Sequence, residues 1–352
     1  MFSGRWPSEF RLLIFWRCSH QRQTQLTPDY RLIPSKPLYP SNPWRLVQDY
    51  LNDLPPASTP LSSHSPLSSG PSPLTPLLPT RSTHVMAILN LTPDSFSDGG
   101  LHSPNDLAGT VLRHVQAGAT MIDVGGQSTA PGTEEVTAEE EARRVLPAIE
   151  LIRSLPEARD LVISVDTYRA SVAQQAVARG ADIVNDVSAG TLDADMLPAV
   201  AALGSSICLM HMRGTPRTMN KLTTYPEGVV PGVASELLAR VEAAEAAGIR
   251  RWRIILDPGI GFAKTQDQNL ELLRRLDELR SWPGLESLPW LVGSSRKRFV
   301  GTITGVSEPQ KRTWGTAATV AAAIQGGADI VRVHDVSEMG QVARMSDAIW
   351  RA

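Results

Sequence analysis

The chain is poor in most of the features that would announce a function from composition alone. Its 352 residues hold only two cysteines. Cys18 and Cys208 lie far apart, so neither a disulfide framework nor a cysteine zinc site is indicated. Charge of one sign is also lacking. With 34 basic and 36 acidic residues the formal net charge is -2, without the basic excess that a nucleic-acid surface normally shows. No apolar run approaches the roughly 18 residues that cross a bilayer, so a soluble protein with no membrane partner is expected. GxGxxG, HExxH and CxxC motifs are absent, and with them the usual marks of a dinucleotide turn or a transition-metal site.

The N-terminal part lacks charge and then lacks acid. Residues Pro55 to Pro79 contain 8 prolines and 7 serines and no Asp, Glu, Lys or Arg, a composition that cannot bury a core. Glu9 is the sole acidic residue among the first 26, against Arg5, Arg11, Arg17 and Arg22. Residues 1–82 therefore read as a disordered extension with a Pro/Ser-rich linker over 55–79. The arginines permit a mitochondrial targeting segment, so the location stays open between mitochondrial and cytoplasmic.

From Thr83 onward short apolar runs alternate with stretches of helical periodicity. Val85–Leu89, Met121–Val124, Leu161–Val165, Ile183–Val184, Ser206–Met210, Ile254–Leu256, Trp290–Val292 and Ile330–Val333 read as eight buried parallel strands. Between them lie amphipathic segments such as Val172, Ala173, Ala176 and Val177, closed by Gly180 at a helix C-terminus. The last helix carries Met339, Val342, Met345 and Ile349, with Asp335 and Glu338 placed as a capping box. Eight such units in residues 83–352 fit the size of an α/β fold of the (β/α)8 TIM-barrel class with a disordered N-terminal extension. A doubly wound sheet is the alternative, but it predicts a glycine-rich turn after the first strand, where Asn90-Leu91-Thr92-Pro93-Asp94 stands instead.

In such barrels the C-terminal ends of the strands build the active site. Polar residues follow every apolar run: Asn90, Gln127 to Thr129, Asp166, Asn185-Asp186, His211, Asp257, Ser294 to Lys297, and His334-Asp335. Each alone has a bland explanation as a helix cap, a turn residue or a satisfied core histidine. Together at one rim they suggest a pocket. Asp166, Asn185 and Asp257 suit a flat heterocycle with an amidine-like edge. Arg296, Lys297, Arg332 and His334 come from the last two strands, where barrels commonly hold phosphate.

Met86 to Gly100 (MAILNLTPDSFSDGG) closely resembles the signature of dihydropteroate synthases. Further stretches agree in order: DVGGQSTAPG from Asp123, SVDT from Ser164, LMHMRG from Leu209, LDPGIGFAK from Leu256, VGSSRK from Val292 and RVHDV from Arg332. The resemblance implies a transferase that joins a dihydropterin pyrophosphate to 4-aminobenzoate. It places the pterin against Asp166, Asn185, Met210, Asp257, Phe262, Gly293 and Lys297, and the pyrophosphate against Asn90, Arg332 and His334. It implies Lys297, Arg332 and His334 as catalytic groups, Asn90 as a magnesium contact, and Thr129, Pro131 and Arg298 as contacts of the 4-aminobenzoate. Small-molecule substrates, magnesium and a homodimer follow from the same resemblance.

The sequence departs from the family in two places. Ala130 stands where STRPG carries arginine, and a serine, Ser294 or Ser295, stands for the customary methionine. The first departure keeps a non-catalytic pterin-binding homologue in view. A pterin-dependent methyltransferase shares the barrel and pocket, but the long first-strand signature argues against it.

Overall fold

A computed structural model describes residues 82–91, 104–127 and 135–351. The Pro/Ser-rich segment, Ala130 and the expected 4-aminobenzoate contacts Thr129 and Pro131 lie outside the described residues.

Eight parallel strands run in the order β6-β5-β4-β3-β2-β1-β8-β7. They are β1 (His84–Asn90), β2 (Met121–Gly125), β3 (Val162–Asp166), β4 (Ile183–Asp186), β5 (Ser206–Met210), β6 (Ile254–Asp257), β7 (Leu291–Val292) and β8 (Ile330–Val333). A bridge between Leu256 and Trp290, with the Leu256 N–H donating to the Pro289 carbonyl at 2.9 Å, closes β6 onto β7. The sheet is thus a barrel, as the alternation of strands and helices predicts. All eight expected strands form, and several extend into their polar ends because the parallel ladder continues there. Asp166 pairs in register with Asn185, and Met210 with Asp257.

Side chains along a strand alternate between the barrel interior and the surrounding helices. The interior begins with a dry plug of Met86, Met121, Val162, Ile183, Cys208, Ile255, Leu291 and Ile330, one residue from each strand. The helix-facing residues, including Ala87, Ile122, Ile163, Val184, Leu209, Leu256 and Val331, form the larger core beneath the helices. Two positions beyond the plug the interior becomes polar. That layer consists of Ile88, Asp123, Ser164, Asn185, Met210, Asp257, Gly293 and Arg332.

The helix Ala170–Ala178 (α3) buries Val172, Ala173 and Ala176. The chain turns after it at Gly180, whose φ of +107° suits a residue without a side chain. Two local expectations are corrected on the final helix, Val336–Trp350 (α10). Its packed face is Val336, Met339, Gly340, Ala343 and Ser346, whereas Met345 and Ile349 are 63% and 55% exposed. No side-chain capping bond forms at Asp335, because its carboxylate is engaged by Arg296.

Candidate active site

The polar layer above the plug carries more charge than a dry interior tolerates unpaired. Asp123 is fully buried in the middle of β2. Its Oδ2 accepts from Arg332 Nε at 2.6 Å and from Asn185 Nδ2 at 3.0 Å. A second arm of the same guanidinium, Nη2, donates to Asp166 Oδ2 at 2.7 Å. One guanidinium therefore serves two carboxylates. Burial pushes Asp166 up to about 7; Arg332 opposes the shift and the neighbouring Asp123 carboxylate adds to it. Asp123 Oδ1 and Ser164 Oγ are buried without a partner among the described residues. Such unsatisfied atoms are uncommon in folded proteins, and both belong to the layer that faces the cup.

Across the barrel, Asp257 Oδ1 accepts the Gly259 N–H at 2.7 Å. Burial raises its pKa, with Lys297 the largest opposing influence. The loop after β6 adopts left-handed conformations at Gly259, Gly261 and Ala263, with φ of +67°, +84° and +51°. This path turns the Ile260 carbonyl toward the Lys297 ammonium, which donates to it. The same ammonium lies 4.6 Å from the centre of the Phe262 ring. Burial lowers Lys297 to about 8, against the attraction of Asp257. Gly261 is required there, since a Cβ would come within 2.9 Å of Lys297 Cδ.

Beside this loop Lys264 is buried, and its ammonium donates to the Phe262 carbonyl and to His211 Nδ1, both at 2.9 Å. The other ring nitrogen of His211 lies 3.1 Å from Glu236, which also binds Arg213. Burial and Lys264 depress His211 to about 4. His211 is thus a satisfied buried histidine that braces the loop from behind.

Of the residues expected from sequence, Asp166, Asn185, Asp257, Lys297 and Arg332 are brought together, with Met210 and Phe262 beside them. Gly293 adjoins Arg332: a Cβ on it would lie 3.8 Å from the Arg332 Cβ. Asn90 is the exposed final residue of β1. His334 follows β8 and contacts Ser295. Arg298 is exposed at the first position of the short helix Arg298–Thr304 (α8). Arg296 does not join the group, since its guanidinium is held by Asp335 at 2.5 and 3.2 Å. Asp123 is not among the strand-end residues that the sequence singles out, because it lies within β2. Its signal was a carboxylate inside an otherwise apolar strand.

The geometry describes a cup with acceptors on its floor and cations along one wall. The sequence compares closely with proteins that bind pterins. Residues 86–334 match the family described as pterin binding enzyme. The chain belongs to the pterin-binding enzyme family. It is 52% identical over 269 residues to the folic acid synthesis protein fol1 of Pneumocystis carinii, an alignment covering 76% of this chain and 36% of that protein. The chain thus aligns with only about a third of that fungal relative's length. It is 48% identical over 270 residues to the dihydropteroate synthase of Synechocystis, covering 76% of this chain and 91% of that one. Among solved structures, the dihydropteroate synthase FolP from Clostridium difficile in the presence of pteroic acid superposes with a TM-score of 0.69 at 40% identity. That match covers 78% of this pterin-binding chain and 100% of the other.

Proposed function

We propose that this chain is a dihydropteroate synthase. It would join 6-hydroxymethyl-7,8-dihydropterin pyrophosphate to 4-aminobenzoate, giving 7,8-dihydropteroate and pyrophosphate in folate biosynthesis. The observation that carries this reading is the cup itself: the buried carboxylates of Asp123 and Asp257, the partly buried one of Asp166 and the Asn185 amide around Arg332 and Lys297, in a chain that matches pterin-binding enzymes over residues 86–334.

A pterin presents ring N–H and amino donors along one edge and a carbonyl nearby. The unpaired Asp123 Oδ1 is an acceptor already desolvated for such an edge, and Asp166, Asn185 and Asp257 complete the set. Lys297 supplies the donor on the opposite wall, and Met210 and Phe262 supply apolar faces. Arg332 uses Nε and Nη2 on carboxylates, while its Nη1 has no partner among the described residues and can serve a pyrophosphate oxygen. His334 would add a donor to the same anion. Thr129, Pro131 and Arg298 are assigned to the 4-aminobenzoate.

Groups of three or more His, Cys, Asp or Glu that could hold a metal ion are absent among the described residues. Magnesium commonly takes one or two protein oxygens with waters and substrate phosphates, and the exposed Asn90 side chain fits that pattern. Bound there with the pyrophosphate, the ion would neutralise charge on the leaving group.

In the reaction the methylene C–O bond breaks and its electron pair leaves with pyrophosphate. The arylamine nitrogen lone pair forms the new C–N bond, and that nitrogen then releases a proton. The protein acts mainly by orientation and electrostatics: Arg332 and His334 face the leaving anion, while Asp123, Asp166 and Asp257 surround the pterin on which positive charge builds. No covalent enzyme intermediate is needed.

Incubation with the pterin pyrophosphate, 4-aminobenzoate and magnesium should yield dihydropteroate and pyrophosphate in equal amounts. Replacing Asp257 or Lys297 with alanine should lower turnover on the order of 10²-fold or more. Pterin binding without product would favour the silent homologue that Ala130 suggests, and recovery of turnover by Ala130→Arg would identify the cause.

A homodimer is part of the same proposal. The helices Thr313–Gln325 (α9) and α10 pack together and expose Trp314 by 86%, with Met345, Ile349 and Trp350 also turned outward. The arginines near the N-terminus support a mitochondrial address and the rest of the chain is compatible with the cytoplasm. Sequencing the N-terminus of the mature protein decides between them.

A further inference from the structure

Ser295 Oγ lies 2.9 Å from His334 Nδ1 and accepts the backbone N–H of the same residue at 3.2 Å. Ser295 is buried and has no other hydrogen-bond partner among the described residues. The adjacent Ser294 points elsewhere, onto Thr319 at 2.8 Å.

A hydroxyl carries one proton and two lone pairs. Were Nδ1 to hold the ring proton, Ser295 Oγ would accept two N–H groups and its own proton would be buried with no acceptor. Giving that proton to Nδ1 satisfies the hydroxyl, the backbone N–H and the ring nitrogen together. The ring proton must then sit on Nε2. We infer that Ser295 is a positioning residue that holds His334 in its Nε2–H tautomer, so that a single N–H is presented to an anionic ligand.

A second ring proton is opposed by burial first, and then by Arg296, Arg332 and Lys297, against which Asp335 acts alone; these hold His334 down to about 3. The histidine is therefore a neutral donor at physiological pH. It stabilises charge on a departing anion through a dipole, and adds no full positive charge that would retain the anion afterward. The inference rests on the proposed function only in taking that anion to be pyrophosphate.

The test is nitrogen NMR of the full chain labelled at histidine, without ligand at neutral pH. The His334 signal is assigned by its loss in His334→Gln. The expected spectrum shows a protonated Nε2 and an unprotonated Nδ1, unchanged down to about pH 5, a range set by the depressed titration of the ring. Ser295→Ala should introduce the Nδ1–H form, and Ser295→Thr, which keeps the hydroxyl, should restore the original signal. With inorganic pyrophosphate as the probe, Ser295→Ala should weaken binding about fivefold, the worth of one misplaced neutral hydrogen bond. Ser295→Thr should bind like the unaltered chain, and pterin affinity should not change. A native spectrum with Nδ1 protonated, or with both nitrogens protonated, overturns the tautomer assignment even if Ser295→Ala does not fold. An Nε2–H spectrum with pyrophosphate binding unaffected by Ser295→Ala overturns the positioning role. A chain that forms no dihydropteroate leaves both readouts intact, so failure of the catalytic reading is separable from failure of this one.

Discussion

At the scale of single residues, the arrangement around Arg332 is the most consequential. Its partners Asp123 and Asp166 come from neighbouring strands, and Asp123 has no exposure to water. Removing one member of a buried ion pair leaves the other uncompensated, at a typical cost of about 3–5 kcal/mol. Asp123→Ala should lower stability by about that amount, measured from the denaturant midpoint, whereas Asp123→Asn should cost less because it still accepts from the guanidinium. Asp166 supplies a pH signature. Its folded pKa, about 7, lies above the unfolded carboxylate value, so folded protein holds this proton more tightly. Its contribution to stability is complete below about pH 4 and is lost as pH rises through about 7. Pterin affinity should change across the same upper limit, and titrations with Asp166→Asn should lack that inflection.

The same residues show how far the sequence could be read. Asp166, Asn185 and Asp257 were legible because each is the first polar residue after an apolar run. Asp123 was not, since it lies inside its run, and only counting inward positions by two from Met121 places it level with Asn185 and Asp257. Arg296 was expected beside the phosphate because it follows the seventh strand, in the part of the rim where barrels commonly hold phosphate. Its φ of +59° and the nearby Asp335 carry it away, and both depend on tertiary structure.

At the scale of elements, the loop after β6 does most to shape the cup. Its carbonyls are gripped by Lys297 at Ile260, by Lys264 at Phe262 and by the Tyr225 hydroxyl at Ala263. Gly261→Ala would place a side chain at φ +84° and against Lys297 Cδ. A loss of about 1–3 kcal/mol is expected from the backbone alone, and pterin affinity should fall with it, which calorimetry would detect. Strands were readable throughout because parallel strands buried on both faces need unbroken apolar runs. The final helix was readable as a helix but its packed face only in part: Met339 is buried and Val342 packs against the core, whereas Met345 and Ile349, at the same helical spacing, drift away from that face. Only the position of the neighbouring helix decides which stripe is covered.

At the scale of the whole molecule, eight strands converge on one rim, and the polarity of the interior changes sharply two residues above the plug. Barrel class followed from the alternation and from the size of the repeating unit. The exposed apolar groups on α9 and α10 followed from neither. If they meet a second copy, sedimentation should give a dimer, and Trp314→Glu should shift the population to monomer while leaving the melting profile of the barrel cooperative.

This rim is proposed to be a pterin pocket. A crystal structure with a bound dihydropterin tests it most directly. The ring should lie on the polar layer, its donor edge toward Asp123, Asp166, Asn185 and Asp257 and its carbonyl near Lys297. A ring bound anywhere else, or a cup that stays empty at saturating pterin, would contradict it.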